Sequence, residues 1–152
     1  MSTPSIPAPD LTQRPPRSPR VRLGGFVILP RALDKGRAKI AGKLGEYHFA
    51  CPLDKRFLDF VKIDSEALYK QLETGKGDWE ILEWIREHAG HKPAPWEIAQ
   101  WSAYSESSVA DSVQRKERAL GEIVRINKLR TDIRTGFDLL DLDDYVTFGG
   151  KA

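Results

Sequence analysis

The sequence predicts an all-α fold, with one compact domain of six or seven short helices behind an extended N-terminal arm rich in arginine and proline. Apolar residues recur at helical spacing along most of the chain, and no alternating series typical of strands is present. A chain of 152 residues is also long enough to bury roughly 70% of its unfolded surface in one domain. The pattern leaves room for one short two-stranded element. We expect a disordered leader over residues 1–9 and a single helical domain over 10–152.

The arm comprises residues 10–22, DLTQRPPRSPRVR, and follows a small, proline-rich and uncharged leader. Its three prolines lack a backbone N–H, and each biases the residue before it away from the helical region. A helix is therefore excluded and an extended path is expected. The four arginines of the arm either pack on the helical domain or reach a partner.

Helical signals follow in order along the chain. The first helix is predicted to begin near Pro30, because proline is favoured in a first turn, and to end at Gly42 or Gly45. Gly36 in its interior costs ~1 kcal/mol relative to alanine, which indicates a close approach of a packing partner or a ligand. A short strand or a buried extended link is expected over 46–52.

Three short helices are expected next, within LDKRFLDFVKI, EALYKQLET and WEILEWIREHA. Asp64 or Ser65 is placed to cap the second of them, and Asp78 is placed to cap the third. Pro95 then opens a further helix.

The C-terminal third is predicted to contain the longest helix, from about residue 108 to about residue 127. Val109 is expected to face inward on this helix. The tail is predicted as a short helix beginning at Thr135 or Gly136, followed by an extended stretch over 145–148.

Charge is distributed unevenly. Residues 13–43 contain nine basic residues and one acidic residue, whereas residues 44–152 contain 15 basic and 20 acidic residues. The total of +2 therefore hides a basic N-terminal segment and an acidic remainder. Either the basic segment binds an external anion, or the acidic body neutralises it across the fold.

The leading hypothesis is a small protein that binds a compact anionic metabolite, a carboxylate or a phosphate. Arg31 and Lys35 are four residues apart and share a face of the first helix, in early turns where positive charge opposes the helix dipole. A bound anion would relieve this, as would Asp34 together with the acidic tail. The predicted ligand-binding residues are Arg14, Arg17, Arg20, Arg31, Lys35 and Arg37.

The sequence leaves open whether the protein is instead a cofactor-free enzyme acting on such a metabolite. Tyr47 and His48 are then the acid/base candidates, and Cys51 is the third candidate because a nearby histidine or arginine favours a reactive thiolate. Positions three apart in an extended segment face opposite sides, however, and free cysteine commonly packs as a small apolar residue. No nucleotide-binding fingerprint is present, so no cofactor is expected and the reaction would be a proton transfer, an elimination or a hydrolysis.

No metal site is predicted. The single cysteine excludes a multi-cysteine zinc site and an internal disulfide. His88 and His91 lie at a helix end without two further ligands nearby. The acidic residues of FDLLDLDDYV are expected to pair with the arm or with Arg130 and Arg134.

Two alternative functions use the basic arm differently. The first is a structural or interaction module, a homodimer in which the arm docks on the acidic body of its own chain or of the second copy. The second is nucleic-acid binding through RPPRSPRVR. This alternative is disfavoured because the sequence contains no recognisable nucleic-acid-binding motif and because the acidic body would repel a phosphate backbone. Without a run of about 20 apolar residues no membrane partner is expected, and without a secretory signal a cytoplasmic location is expected.

Three segments carry a resemblance to a known family: DLTQRPPRSPRVRLGGFVILPRALDKGRAKIAG, GEYHFACPLDKRFLDFVKID and RTDIRTGFDLLDLDDYVTFGGKA. They resemble an uncharacterised bacterial family, a domain of unknown function, over nearly the whole chain from Asp10 onward. The resemblance implies a stand-alone bacterial domain of about this length. It implies no activity, cofactor or site residue.

Overall fold

The structure is a computed structural model that describes residues 7–109, 127 and 129–152. Over these residues the chain forms a compact helical domain, which confirms the predicted all-α class. Its helices are α1 Leu29–Ile40, α2 Pro52–Val61, α3 Ser65–Glu73, α4 Asp78–His88, α5 Pro95–Ser107 and α6 Gly136–Thr147. The described part contains no strand, and its only trace of strand pairing is an isolated bridge between Leu23 and Phe26.

Helix α1 is the central helix, because other segments cover most of its length. Nine of its 12 residues are buried, including the charged Arg31, Asp34 and Lys35. A Cβ at Gly36 would overlap the side chain of Leu72 in α3. The close approach predicted at this glycine is therefore a packing contact between α1 and α3.

The apolar core lies between α1 and one face of each of α2, α3 and α4. It includes Phe57 of α2 and Phe137 of α6, both almost fully buried. An aromatic cluster packs against this core, and within it the rings of Phe60 and Trp101 stack with centroids 4.9 Å apart. Apolar burial of this kind contributes roughly 1.5–3 kcal/mol per large side chain.

Several predicted helix ends are confirmed. The Asp64 carboxylate accepts the Ala67 N–H at 3.2 Å and caps α3. Pro95 is the first residue of α5. The Thr135 hydroxyl accepts the Asp138 N–H at 3.1 Å and caps α6.

Three local predictions are wrong. Residues 46–51 form turns and short irregular stretches instead of a strand or a buried extended link, with positive φ angles of 61° at Gly45 and 59° at Ala50, and Pro52 already belongs to α2. Helix α6 continues to Thr147 instead of giving way to an extended stretch, because its later turns are anchored by buried Leu142 and Asp144. Val109 is 56% exposed, and most of the helix predicted over 108–127 lies outside the described residues.

The arm lies against the helical domain and bends twice. It turns at residues 11–13, where Leu11 is buried and its N–H is donated to the Lys43 carbonyl at 2.9 Å, and again near Pro19, whose carbonyl accepts the Ile28 N–H at 2.9 Å. The predicted continuous extended path is thus replaced by two turns, although the arm is free of helix as expected. The first six residues of the expected leader lie outside the described part of the chain.

Candidate anion-binding cleft

Arg17 joins the arm to α1 and α4 through two carboxylates. Its backbone N–H and its Nε both donate to Asp34 Oδ2, at 2.9 and 3.0 Å. Its Nη1 donates to Asp78 Oδ2 at 2.7 Å, and its Nη2 donates to both carboxylates and to the Pro30 carbonyl. The guanidinium is therefore fixed in place, and most of its donors are used inside the protein.

Asp78 holds two arginines from different segments. In addition to Arg17, its Oδ1 accepts a hydrogen bond from Arg37 Nη1 at 2.7 Å. The prediction that Asp78 caps α4 is wrong, because the cap is Gly77, whose N–H is donated to Glu80 Oε1 at 3.2 Å. The Asp78 carboxylate instead accepts hydrogen bonds from two guanidiniums, in which donor and acceptor are both charged.

These ion pairs border a cleft of about 660 Å³. Its walls come from the arm, from α1 and from the loop between α3 and α4. The charged side chains that line it are Arg14, Arg17, Arg37, Lys76, Asp34 and Asp78. Much of the remaining wall is formed by Pro7, Pro9 and Pro15. The volume is typical of a small-molecule site.

Among the described residues, positive charge exceeds negative charge in the cleft, since four basic and two acidic side chains line it. The two carboxylates are engaged by Arg17 and Arg37. Arg14 is exposed, and its side chain makes no hydrogen bond or ion pair with any other described residue. Lys76 donates to the neutral Gln71 amide oxygen. The excess charge therefore belongs to Arg14 and Lys76.

Arg31 and Tyr47 meet at a buried carboxylate outside the cleft. Arg31 Nη1 donates to Asp144 Oδ2 at 2.8 Å, and the Tyr47 hydroxyl donates to Asp144 Oδ1 at 2.7 Å. Burial, followed by the hydrogen bond to Asp144, raises the pKa of the Tyr47 hydroxyl. Tyr47 therefore stays protonated at neutral pH and acts as a hydrogen-bond donor to the carboxylate that also neutralises Arg31.

Lys35 is buried against α2. Its Nζ lies 2.9 Å from Asp54 Oδ1 and 3.2 Å from Cys51 Sγ. The second oxygen of Asp54 accepts the Ala50 N–H at 2.9 Å. The positive group beside the thiol is thus Lys35, whereas His48 is exposed. This arrangement fixes the start of α2 against α1. The charge of Lys35 is balanced by Asp54 within the protein.

The other arm arginines bind acidic residues of α5 and α6. Arg20 contacts Asp138 and donates to Asp141 Oδ2 at 3.0 Å, and Arg22 donates to Glu106 at 3.0 Å. The predicted pairing of the acidic tail with the arm is therefore confirmed. Among the described residues there is no group of three or more histidine, cysteine or carboxylate side chains placed to hold a metal ion.

The structure brings three of the six predicted ligand-binding residues to one site, and these are Arg14, Arg17 and Arg37. The other three are engaged elsewhere, with Arg20 on α6, Arg31 on Asp144 and Lys35 on Asp54. None of the catalytic candidates Tyr47, His48 and Cys51 lines the cleft.

Sequence analysis missed Lys76 and Asp78 as members of the site. The one local signal for Lys76 is its position between two glycines in the stretch TGKGD. A glycine-flanked loop allows the backbone and the lysine ammonium to come close to a ligand. Asp78 carries no comparable signal, since its position before a helix equally predicts a cap.

All charged residues of the cleft lie within the region matched by a family model. That model, described as Domain of unknown function (DUF5069), matches residues 13–146. The chain belongs to the DUF5069 family. No curated protein has significant similarity to this DUF5069 domain. In its described residues, no helix has the length and apolarity needed to cross a membrane.

Asp78→Asn tests the electrostatic link between the arm and the body of the DUF5069 domain. Burial raises the pKa of the Asp78 carboxyl, but hydrogen bonds from Arg17 and Arg37 outweigh burial and leave the pKa below its ordinary value of 3.8. A lowered pKa in the folded state adds stability above the unfolded-state pKa, and this stability is lost as the pH falls through the folded-state pKa. Urea unfolding should give a free-energy difference between native protein and variant that is constant above about pH 5 and shrinks below about pH 4.

The matched control is Asp59→Asn on the exposed side of α2, for which we expect a change within about 0.5 kcal/mol at every pH. If the difference in unfolding free energy between native protein and Asp78→Asn stayed the same down to about pH 3, the assignment of the ion pairs would be contradicted.

Proposed function

We propose that this DUF5069 domain binds a compact anionic metabolite in the cleft between the arm, α1 and the α3–α4 loop. The observation that carries the proposal is the pair of cations, Arg14 and Lys76, that form no ion pair within 4 Å with a carboxylate among the described residues and that line a concave site of about 660 Å³. Like charges lining a cleft focus the electrostatic field and raise the local concentration of the opposite ion.

The six charged side chains of the cleft have different roles in this proposal. Arg14 and Lys76 supply the unpaired charge. Arg37 is 11% exposed at its side chain and keeps N–H groups beyond the two that bind Asp78 and the Lys76 carbonyl. Arg17 is a positioning residue, because its donors hold the arm against Asp34 and Asp78.

The alternatives have weaker support from the contacts. A binding role is favoured over acid/base catalysis in the cleft, since no tyrosine, histidine or cysteine lines it. Nucleic-acid binding would compete with the intramolecular ion pairs of Arg17, Arg20 and Arg22. Those pairs lie within one chain, so arm docking does not require a second copy, and homodimer formation stays a prediction. A cytoplasmic location and a bacterial origin also stay predictions of the sequence.

Arg14→Ala is the direct test of the anion site. The side chain has no other hydrogen bond in the described residues, so its removal should leave the fold intact and weaken anion binding ~10-fold or more, as expected for a lost hydrogen bond to a charged group. Isothermal titration calorimetry with a panel of phosphate, sulfate, glycerol 3-phosphate, malate and citrate measures the effect.

Arg134→Ala is the matched control, because Arg134 is an exposed arginine that does not line the cleft. We expect this variant to bind each anion as the native protein does. Equal affinities in native protein and Arg14→Ala, or no binding of any panel member by the native protein, would refute the proposed function.

A further inference from the structure

The class of anion follows from which cationic groups with remaining N–H donors line the cleft and from which segments they originate. Arg14 comes from the arm, Arg37 from α1 and Lys76 from the α3–α4 loop, so the three line the cleft from separate segments of the chain. A carboxylate offers two coplanar oxygens, and one arginine fork can bind both of them. A phosphate group offers three acceptor oxygens in a tetrahedral arrangement. Three cationic groups from separate segments therefore match the three oxygens of a phosphate better than the two oxygens of a carboxylate.

The donors needed for such a group are present. Arg37 uses Nη1 for Asp78 at 2.7 Å and Nη2 for the Lys76 carbonyl at 3.1 Å, which leaves its Nε–H and further Nη hydrogens. Lys76 gives one hydrogen bond to Gln71 and retains others, because an ammonium has more than one N–H. The Arg14 guanidinium makes no hydrogen bond to another described side chain, and its charge interacts with Asp10.

The charge balance points to a dianion. The cleft has an excess of two positive charges, and a phosphate monoester carries close to two negative charges at neutral pH. Asp10 does not line the cleft. The pKa of its carboxyl is lowered first by hydrogen bonds from Thr12 and then by the charges of Lys43 and Arg14, so Asp10 offsets part of the Arg14 charge from outside the cleft.

The cleft also has room for more than a phosphate group. Its volume of about 660 Å³ is that of a site for an organic molecule, and one wall is formed by Pro7, Pro9 and Pro15. Proline rings are rigid and mostly apolar, so they suit the carbon skeleton of a ligand whose anionic end faces Arg14, Arg37 and Lys76.

We propose that the ligand is a phosphate monoester of a small organic molecule, with the phosphate held by Arg14, Arg37 and Lys76 and the organic part against the proline wall. This inference rests on the proposed anion-binding function and adds the class of ligand to it.

Calorimetric titration of the full chain with three probes tests the class. Glycerol 3-phosphate and glutarate are both short dianions at pH 7.5, and inorganic phosphate lacks the organic part. We expect glycerol 3-phosphate to bind ~10-fold or more tightly than glutarate, by the extra charge-assisted hydrogen bond, and more tightly than inorganic phosphate.

A pH series adds a second readout. The second pKa of a phosphate monoester is about 6, so affinity for glycerol 3-phosphate should fall ~10-fold from pH 7.5 to pH 5.0 as the dianion is protonated. The groups facing the ligand are Arg14 and Arg17 of the arm, Asp34 and Arg37 of α1, and Lys76 and Asp78 of the loop and α4. Histidine, the residue type that titrates in this range, does not line the cleft.

The outcomes separate the two proposals. Binding of glutarate as tight as that of glycerol 3-phosphate, or a flat pH profile for the phosphate ester, would overturn the ligand class while leaving anion binding in place. Equal affinities for inorganic phosphate and glycerol 3-phosphate would show that the wall formed by Pro7, Pro9 and Pro15 does not contribute to ligand binding. Failure of all three probes, together with the wider anion panel, would overturn the proposed function itself.

Lys76→Gln provides the residue-level check. It should weaken glycerol 3-phosphate binding ~10-fold and bring its affinity close to that of glutarate, because one of the three cationic groups is lost. Lys55→Gln, at an exposed position of α2 away from the cleft, is the control and should bind as the native protein does. An unchanged affinity in Lys76→Gln would overturn the three-cation arrangement.

Discussion

Lys35→Met should lower the free energy of unfolding by about 3–5 kcal/mol, the cost of removing one partner from a buried ion pair. Asp54 is fully buried, and the Lys35 ammonium at 2.9 Å is its counter-charge. Methionine fills a similar volume, so the loss measures the uncompensated carboxylate more than a cavity. Urea unfolding at neutral pH gives the value.

Two further variants identify the cause. Lys55→Met replaces an exposed lysine and should change stability by no more than about 0.5 kcal/mol. Lys35→Met combined with Asp54→Asn should recover most of the loss, because asparagine keeps an acceptor for the Ala50 N–H without a buried charge. A loss below about 1 kcal/mol in Lys35→Met, or no recovery in the double variant, would show that the pair is not the anchor described.

Arg31→Met should have a comparable effect, about 3–5 kcal/mol, and should act on α6. Arg31 is 3% exposed, and it binds Asp144 of α6 at 2.8 Å while also donating to the Arg17 carbonyl of the arm at 3.2 Å. Without the guanidinium, the Tyr47 hydroxyl is the hydrogen-bond partner that the Asp144 carboxylate keeps among the described side chains. Hydrogen exchange of the α6 amides should therefore accelerate more than exchange in α2.

Asp144→Asn in the Arg31→Met background is the rescue, since asparagine still accepts from Tyr47 and carries no charge. Arg134→Met, at an exposed position just before α6, is the control for loss of an arginine. Unchanged exchange in α6 would argue against the anchoring role of Arg31. Neither Arg31 nor Lys35 lines the cleft, so the folded Arg31→Met and Lys35→Met proteins should keep the anion affinity of the native domain.

Much of the helical fold was accessible from the sequence, because helix boundaries depend on neighbouring residues. Asp64 and Thr135 cap helices, and Pro95 opens one, through bonds and dihedral restrictions that act within one turn. Errors arose where distant contacts outweigh local preference. Asp78 illustrates this, since two arginines distant in sequence take the carboxylate that local spacing assigns to a cap.

The candidate site was accessible only in part. The excess of basic residues over 13–43 points to the segment from which Arg14, Arg17 and Arg37 line the cleft. Composition does not indicate which of the basic residues keep an uncompensated charge. Arg31 and Lys35 look like the strongest anion ligands because they share a helix face, yet each is buried against a carboxylate far along the chain.

By itself, then, the sequence determined the all-α class, most helix starts and the concentration of positive charge in the N-terminal segment, because these depend on periodicity, capping and composition. The tertiary structure alone decided which charges cancel. Asp54, Asp78 and Asp144 reach their basic partners only after helices separated along the chain are packed together. Arg14 and Lys76 line the cleft without an ion pair to a carboxylate within 4 Å among the described residues, and no local pattern distinguishes them from the other basic residues.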